Sequence, residues 1–398
     1  MLNSLTEPRY ADSYLRIVDF SDPGDPSKGS IDIMTDKITT PIRLPLNVPS
    51  LSGGVLWISD GVMHMLPGTY LSNSNYTTDE FGNIIPITNR PYLTNKVWNF
   101  DLKSQKWDVG GSGVEENTVN PAIAFDAKTQ VAWYYGGRSR LSNQHDDTIG
   151  LHDLYRLDRG KETPIKVATD SSIVGTVVYG DLIHIEGAGE AGILVLLGGD
   201  ANGSSNLYQP VSIMNQIGRP PQVAFWLIYS LLLQRSFVIV HVWDIATKTW
   251  FAQSTTVETG SLYPGSDTIQ QCAVIASAED NSSHNIYVYI GGPDTALLGV
   301  FILTLPAFHW VLVDQPPEDD HWRVILTNCL KVHEKHMVLY RGGVYVADNL
   351  TCDYEKSSKR FQGMAIYDMS SLTWTTKVEL KNQKYLVPEI LYAVIGGK

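Results

Sequence analysis

A strand that ends in a pair of glycines recurs along this sequence of 398 residues, and this repetition constrains the fold more than any other feature. The copies are VAWYYGG (Val131–Gly137), ILVLLGG (Ile193–Gly199), IYVYIGG (Ile286–Gly292), MVLYRGG (Met337–Gly343) and LYAVIGG (Leu391–Gly397). A degenerate copy, VMHMLPG, ends at Gly68. Each copy follows another short apolar run across a polar turn, which indicates a pair of antiparallel strands. Short strands repeated every ~40 to 60 residues are typical of a β-propeller.

A second signature lies downstream of most strand pairs, where an alternating strand ends in Asp and a Trp follows six positions later. The pairs are Asp101 with Trp107, Asp244 with Trp250, and Asp368 with Trp374, while Trp310 follows Thr304 at the same spacing. This pattern predicts a third strand, a tight turn and a fourth strand that opens with the aromatic residue. The copy at 118–168 has Pro164 where the Trp is expected, which weakens the prediction of its outer strand.

The repeats can be counted as blades. Whole copies lie at about 52–110, 118–168, 173–255, 268–315 and 325–380. The ends supply a sixth copy, with Val387–Gly397 as strands 1 and 2, and Tyr14–Phe20 and Ile31–Asp36 as strands 3 and 4. We therefore predict an all-β propeller over 13–398, behind an extension of 1–12, with six blades and with seven as the alternative. A blade shared by both termini would close the ring and remove its free sheet edges.

The repeated glycines and tryptophans have a structural interpretation. Glycine permits a turn and a close backbone approach where no side chain fits, and Trp is a large anchor between sheets. The residues concerned are Gly136, Gly137, Gly198, Gly199, Gly291, Gly292, Gly342, Gly343, Gly396, Gly397, Trp107, Trp250, Trp310 and Trp374.

These signatures resemble those of kelch-repeat propellers. Details such as GILVLLGG, VHVWDIATKTW and LPAFHW resemble a group of fungal kelch-repeat proteins, in the non-oxidase branch of the galactose oxidase and kelch superfamily. The resemblance makes two further functions conceivable beside a binding module. One is an accessory protein, small-ligand binder or enzyme in fungal secondary-metabolite biosynthesis. The other is a cell-surface, membrane-anchored protein, since such relatives typically carry a secretory signal and often a transmembrane helix.

The function we predict is a binding or scaffold module for a protein partner of unknown identity, more than an enzyme. Loops on a rigid scaffold carry function, so the side chains that adjoin the diglycines are the candidates for the binding face. They are Arg138, Asp200, Asp294, Arg341 and Tyr345.

Charge and hydropathy exclude several partners. A net charge of −12 leaves no positive field for nucleic acid or an anionic membrane surface. Residues 1–12 show neither the basic nor the apolar region of a secretory signal, so none is predicted in the chain as written, and the compartment stays open.

The segment 216–240 is an irregular apolar insertion, whose run Val223–Leu233 is about half the ~20 residues that a membrane span needs. It predicts a short packed helix, a partner-binding hairpin or a retained intron.

The motifs that suggest cofactors or metals have simpler interpretations. Gly187–Gly192 satisfies GxGxxG but leads into a strand, so a hairpin turn is predicted rather than a dinucleotide site. His333–His336 is predicted to be a solvated turn, and the clusters His145–Asp147 and Glu318–His321 solvated loops. No cysteine lies in a pattern with Tyr and His that suits a copper radical oxidase. We predict no cofactor and no metal.

Cysteines and glycosylation sequons complete the candidates. Cys329 and Cys352 flank strand 2 of one blade and form the predicted disulfide, with Cys272 a buried thiol; three reduced cysteines are the alternative. The sequons lie at Asn75, Asn202, Asn281 and Asn349 and would be acceptors in a secreted protein.

Overall fold

The computed structural model describes most of the repeated strands. The described residues are 14–18, 29–33, 39–43, 54–66, 76–78, 84–86, 96–112, 118–140, 148–158, 160–161, 163–169, 174–199, 237–259, 261, 263–264, 271–291, 299–314, 324–325, 328–340, 343–346, 351–353, 364–381 and 384–395. Regular structure in them is almost entirely β.

Three short strands precede the blades. They are β1 (Tyr14–Val18), β2 (Ser30–Asp32) and β3 (Thr39–Arg43). β1 pairs antiparallel with β3. β2 pairs instead with a strand close to the C-terminal end of the chain.

Blades 1 and 2 are four-stranded antiparallel meanders with additional hairpins. Blade 1 runs through β4 (Val55–Ser59), β5 (Val62–Leu66), a separate hairpin of β6 (Tyr76–Thr78) and β7 (Ile84–Pro86), then β8 (Lys96–Asp101) and β9 (Lys106–Ser112). In the blade 2 region, β10 (Thr118–Val119) is followed by β11 (Ala122–Asp126), β12 (Val131–Tyr135), β13 (Arg138–Arg140), β14 (Thr148–Gly150), β15 (Asp153–Leu157) and β16 (Ile165–Thr169). The blade is β11-β12-β15-β16, and β10-β13-β14 form a small separate sheet.

Blades 3 and 4 follow the same order. Blade 3 contains β17 (Asp181–Ile185), β18 (Ile193–Leu197), β19 (Ile239–Asp244) and β20 (Thr249–Ser254). After it come β21 (Thr256–Val257), β22 (Gln271–Ser277), β23 (His284–Ile290), β24 (Gly299–Leu305) and β25 (His309–Asp314). Blade 4 is β22-β23-β24-β25, and β21 adds to its outer strand in parallel.

Blade 5 repeats the arrangement of blade 2. Its region contains β26 (Val324–Ile325), β27 (Asn328–Val332), β28 (His336–Tyr340), β29 (Gly343–Val346), β30 (Thr351–Asp353), β31 (Met364–Asp368) and β32 (Thr373–Thr375). The blade is β27-β28-β31-β32, and β26-β29-β30 form a small sheet like that of blade 2. β33 (Lys377–Glu379) and helix α1 (Glu389–Ile395) follow.

The apolar core lies between blades. Trp57 and Tyr134 pack between blades 1 and 2, and Trp250 lies between blades 2 and 3. Val288 and Trp310 belong to the core between blades 3 and 4. The first strands β11, β17, β22 and β27 adjoin one another, so they are the inner strands of the propeller. Each blade therefore has a diglycine end, where strand 2 connects to strand 3 and strand 4 to the next blade, and an opposite turn end.

The Asp-to-Trp spacing corresponds to one turn with fixed chemistry. The carboxylates of Asp101, Asp244 and Asp368 each accept a hydrogen bond from a backbone N–H three residues later. Four residues after each Asp, the backbone enters the left-handed region, with φ between 54° and 57° at Gln105, Lys248 and Leu372. Asp caps such turns well because its oxygens reach the following backbone. The Trp two residues later is then the second residue of strand 4.

The number of blades is a correction to the sequence prediction. The described residues form five four-stranded blades, and neither six nor seven. The last diglycine repeat fails as a strand because Leu391–Ile395 belongs to α1. Its apolar residues Val387, Leu391 and Ile395 recur every fourth position and contact the core between blades 4 and 5, which suits a helix.

The strands near the two ends of the chain pair differently from the prediction. β1 pairs with β3, and β2 pairs with β33, so these strands are not strands 3 and 4 of a shared blade. Ile31 and Ile33 pack with Val378 against Val338 and Ile366 of blade 5. The predicted closure of the ring by a shared blade is therefore not shown.

Two local predictions also change. Blade 2 has its outer strand β16 directly after Pro164, without a Trp at its start. Most of the predicted insertion at 216–240 lies outside the described residues, but its last part belongs to blade 3: Ile239 and Val240 start β19, and Phe237 is 2% exposed. The indole Nε1 of Trp310 donates to the carbonyl of Phe237 at 3.1 Å.

The predicted disulfide between Cys329 and Cys352 is wrong. Cys329 is bonded to Cys272, with a Cα–Cα distance of 5.4 Å. Each of these two residues is the second residue of an inner strand, β27 and β22, so neighbouring blades bring them to the same level. Cys352 lies in β30, where it is opposite Tyr345.

Candidate functional site

The predicted binding-face residues lie in two similar loop hairpins where the structure describes them. Arg138 begins β13, which directly follows the diglycine of blade 2, and Tyr345 lies in β29, which begins at the second glycine of the blade 5 diglycine. Asp200, Asp294 and Arg341 lie outside the described residues. The diglycine end of blade 2 is thus the place where the candidate site can be built from side chains.

The diglycine of blade 2 brings the next blade close to Arg138. Gly136 and Gly137 have φ of 69° and 85°, and the N–H of Gly137 donates to the carbonyl of Val177 at 2.6 Å. A Cβ atom on Gly136 would lie 2.4 Å from that same oxygen. Only glycine combines this backbone conformation with this contact. The segment that leads into blade 3 is therefore pressed against the loop that carries Arg138.

The other diglycines are described in part. Gly198 and Gly199 have φ of 57° and 86°, and the side chain of Gln271 fills the space beside Gly198. Gly291 is buried, and Gly343 begins β29. Gly292, Gly342, Gly396 and Gly397 lie outside the described residues.

Tyr179 holds Arg138 across the junction of blades 2 and 3. The guanidinium Nη2 donates to the Tyr179 hydroxyl at 3.0 Å, and the guanidinium carbon lies 5.6 Å from the centre of the ring. Tyr179 itself has a φ of 62°, and its N–H donates to the carbonyl of Asn120 at 2.9 Å. A guanidinium has five N–H donors, and the bond to Tyr179 uses one of them. Both side chains are partly buried, so the cation is positioned while it remains in reach of solvent.

A second polar pair joins blades 3 and 4 at the same end. Gln271 Nε2 donates to Asp181 Oδ2 at 2.9 Å and to the carbonyl of Leu197 at 3.0 Å. Burial raises the pKa of Asp181 to about 7, against the hydrogen bonds from Gln271 and from the backbone of Ala273. Gln271 Oε1 is buried and has no hydrogen-bond partner among the described residues. Asp181 is thus a carboxyl group that changes its charge near neutral pH.

These two pairs together form a candidate recognition site. Tyr179 and Asp181 are separated only by Gly180, so the tyrosine that contacts the Arg138 cation and a titratable carboxyl group lie along one short segment. Arg and Tyr are enriched among the residues that carry binding energy in protein interfaces. We call Arg138, Tyr179, Asp181 and Gln271 the diglycine-end cluster.

Sequence reasoning found only Arg138 of this cluster. Tyr179, Asp181 and Gln271 were missed because their partners are 41 to 90 residues away in sequence. A signal existed: Asp181 and Gln271 are each the first residue of an inner strand, at the same level of neighbouring repeats. A polar residue at the first position of one inner strand faces the first position of the inner strand in the neighbouring blade.

Other candidate motifs contribute no site. Gly187–Gly192 lies in the turn between β17 and β18, as predicted. His333 and Lys335 lie in a turn, but Lys335 is 9% exposed, and His336 begins β28 and is 1% exposed, so the predicted solvated turn is wrong at these two residues. Among the described residues, no group of three or more His, Cys, Asp or Glu side chains could hold a metal ion. The clusters at 145–147 and 318–321 lie outside those residues.

A polar cluster in blade 1 has the atom order of a hydrolase relay. Ser59 Oγ lies 3.0 Å from His64 Nε2, and His64 Nδ1 lies 2.8 Å from Asn99 Oδ1. Ser59 is only 4% exposed, and His64 stacks on Trp57 at a ring distance of 5.0 Å. A closed-off hydroxyl cannot meet a substrate, so we interpret this cluster as a structural hydrogen-bond network.

The remaining predictions concern glycans and membranes. Asn281 is exposed in the turn between β22 and β23, while Asn75, Asn202 and Asn349 lie outside the described residues. Within the part of the chain that the structure describes, no helix has the length and apolar character to cross a membrane.

Comparisons with known proteins give a distant fungal relative. The chain is similar to a "Kelch repeat-containing protein" of Arthroderma benhamiae, with 22% identity over 442 aligned positions that cover 93% of this chain. The alignment spans 57% of that relative. A solved structure titled "Structure of YjhT" aligns with a TM-score of 0.48 at 11% identity, over 84% of this chain and 85% of that one. No protein-family model matches the chain.

Proposed function

We propose that this chain is a scaffold that binds a protein partner through its diglycine end. The predicted resemblance to fungal kelch-repeat proteins is confirmed by the relative described above. The observation that carries the proposal is Arg138, held 3.0 Å from the Tyr179 hydroxyl by contacts between two blades. A preorganised Arg loses little conformational freedom on binding, so its hydrogen bonds contribute more to affinity.

The surroundings of Arg138 support a protein partner. Blades 2 and 5 each carry a small three-stranded sheet beside the main blade, β10-β13-β14 and β26-β29-β30, both at the diglycine end. Such hairpins add backbone groups and loop side chains that can contact an extended partner surface. The net charge of −12 disfavours nucleic acid.

The experiment compares partner recovery between matched variants. Purified full-length chain, Arg138→Ala and Lys128→Ala are used as baits in quantitative affinity purification. Lys128 is an exposed cation in the turn between β11 and β12, paired with Glu186, so its removal tests the turn end with the same charge change. We expect at least one protein to bind the wild type and Lys128→Ala equally and Arg138→Ala about 10-fold to 30-fold less.

Two results would contradict the proposal. Equal recovery of every protein by the wild type and Arg138→Ala shows that the diglycine end does not bind them. Equal loss in both variants shows an effect of net charge alone. Matching thermal melting curves exclude unfolding as the cause of a loss.

We also propose that the chain folds in an oxidising compartment, which favours a cell-surface or secreted role over the biosynthetic alternative. The disulfide between Cys272 and Cys329 supports this, because such bonds persist outside reducing compartments. Alkylation of the chain in cell extracts under non-reducing conditions tests it. We expect both cysteines to be protected, with a glycan on Asn281 that endoglycosidase removes and Asn281→Gln lacks. Two freely alkylated cysteines would reject the proposal.

A further inference from the structure

The segment Lys384–Ile395 lies across the turn end of blades 4 and 5. Lys384 Nζ pairs with Glu279 Oε1 at 2.5 Å, in the turn between β22 and β23. The N–H of Leu386 donates to Ser370 Oγ at 2.9 Å, in the turn between β31 and β32. The segment therefore connects two blades from outside the strand ladders.

Tyr385 completes a directed chain of hydrogen bonds. Asn285 Nδ2 lies 3.1 Å from the Tyr385 hydroxyl, which lies 2.9 Å from the Tyr287 hydroxyl, which donates to the carbonyl of Met369 at 2.7 Å. An amide NH₂ only donates and a carbonyl only accepts, so Tyr385 accepts from Asn285 and donates to Tyr287. The tyrosine hydroxyl is recognised in both of its roles.

The surface beneath Tyr385 does not depend on the segment for its polar contacts. Without Tyr385, the Tyr287 hydroxyl still donates to the carbonyl of Met369. Asn285 Nδ2 retains a longer contact to Ser283 Oγ at 3.4 Å. These two polar groups beneath Tyr385 therefore keep a partner when the segment is absent.

One side of the segment is buried against blades 4 and 5, and the other side is exposed. Tyr385 is 5% exposed, Pro388 is buried and Leu391 of α1 is fully buried. Val387 and Ile395 pack against the same core, whereas Leu386 and Ile390 are 69% and 46% exposed. The Lys384 and Glu279 side chains are both mostly exposed, so their ion pair adds little. Three buried anchors at intervals of three residues, on one side of the segment, are how a short peptide docks on a folded surface.

We propose that the turn-end surface of blades 4 and 5 is a docking site for a peptide with a tyrosine followed by an apolar helical turn, which Lys384–Ile395 of the same chain occupies and can leave as one unit. This site lies at the opposite end of the blades from the diglycine-end cluster. It is therefore independent of the function proposed above.

The test measures binding of the free segment to the full-length chain. The probe is a fluorescein-labelled synthetic peptide with the sequence of residues 384–395, followed by fluorescence anisotropy. The wild-type chain should bind it weakly, because its own tethered segment competes at a high effective concentration. The Tyr385→Ala chain should bind it at least about tenfold more tightly, because its own segment lacks one anchor.

Two matched controls make the result specific. The Leu386→Ala chain, altered at an exposed side chain of the same segment, should bind the probe like the wild type. A probe with Phe in place of Tyr385 should bind the Tyr385→Ala chain roughly tenfold more weakly, because it cannot complete the hydrogen-bond chain. A folded Tyr385→Ala chain that binds no better than the wild type overturns the proposal, as does equal binding of both probes.

Hydrogen exchange on the unmodified chain provides the second measurement if Tyr385→Ala does not fold. The amides of 384–395 should exchange together and at least about 100-fold faster than those of β23. Protection equal to that of β23 would show that the segment is a fixed part of the core and would overturn the proposal.

Discussion

Gln271 Nε2 donates a hydrogen bond of 2.9 Å to Asp181 Oδ2, which joins the first residues of the inner strands of blades 3 and 4. Burial raises the pKa of Asp181 from its ordinary 3.8 to about 7, although the hydrogen bonds from Gln271 and the backbone of Ala273 lower it. The folded chain therefore keeps this proton at pH values where the unfolded chain has lost it.

The first prediction is that Asp181→Asn stabilises the chain above neutral pH. Since the folded pKa lies above the unfolded one, the stability of the wild type falls as the pH rises from 3.8 to about 7 and then levels off. Asn cannot ionise and can still accept from Gln271. We expect the free energy of unfolding at about pH 8 to rise by about 1–2 kcal/mol, and to change little at about pH 4, with allowance for the partial exposure of the carboxyl group.

Urea unfolding at both pH values measures this difference. Asp108→Asn, at an exposed position of β9, controls for the substitution itself and should show no such pH-dependent gain. A variant that is less stable than the wild type at about pH 8 would show that the ionised carboxylate is required.

The second prediction concerns the bridge between Cys272 and Cys329. It closes a loop with a sequence separation of 57 residues, so its loss should lower the free energy of unfolding by about 2–4 kcal/mol. Unfolding of the Cys272→Ala, Cys329→Ala double variant measures this. Cys352→Ser should keep the bridge, and peptide mapping without reductant should show it unchanged. In the same mapping of the wild-type chain, a peptide that links Cys329 to Cys352 would contradict the bridge to Cys272 and support the pairing predicted from sequence.

The third prediction separates backbone strain from close contact at glycine. Gly61 and Gly136 both have positive φ, 75° and 69°, but only Gly136 meets a neighbour, at 2.4 Å from the carbonyl oxygen of Val177. Gly61→Ala should cost about 1 kcal/mol of stability, from strain alone. Gly136→Ala should cost about 3 kcal/mol or more, because the connection to blade 3 must move. Equal losses of stability in the two variants would show that the backbone at Val177 moves away from the new Cβ atom at little cost.

The repeats could be predicted because their signals are local. Each Asp caps its own turn, and the left-handed residue and the Trp follow at fixed distances within a single hairpin. The C-terminal repeat was misinterpreted for the same reason: Leu391–Gly397 matches the diglycine pattern, but Leu391 and Ile395 have helical spacing and contact the core between blades 4 and 5. The spacing of the buried apolar residues decides between a strand and a helix. The diglycine pattern does not include that spacing.

The contacts between blades could not be predicted in the same way. Asp181 with Gln271 and Cys272 with Cys329 join residues 57 to 90 positions apart, and each pair depends on which inner strands are neighbours. In both pairs the partners occupy nearly the same place in successive repeats. Alignment of the repeats by their inner strands, rather than by their diglycines alone, would have placed them side by side.

The last prediction compares two copies of the same capped turn. Asp244 and Asp368 both cap the turn before strand 4, but only Asp368 also pairs with Lys335, at 3.0 Å, where both side chains are nearly buried. Burial alone would raise the pKa of Asp368, but hydrogen bonds from the Ser371 backbone and from Lys335 outweigh it and hold the pKa below its usual value. The stabilisation is therefore present above pH 4 and is lost as the pH falls through the acidic range.

Substitution by Asn keeps the cap and removes only the charge. Asp244→Asn should change the free energy of unfolding by less than about 0.5 kcal/mol at neutral pH. Asp368→Asn should lower it by about 2 kcal/mol, because among the described residues Lys335 then keeps only Glu379, at 2.7 Å and half exposed, as its counter-ion. The loss should shrink in acid, where the wild-type carboxylate is protonated as well. Equal effects of the two substitutions at neutral pH would show that the buried ion pair contributes nothing beyond the cap.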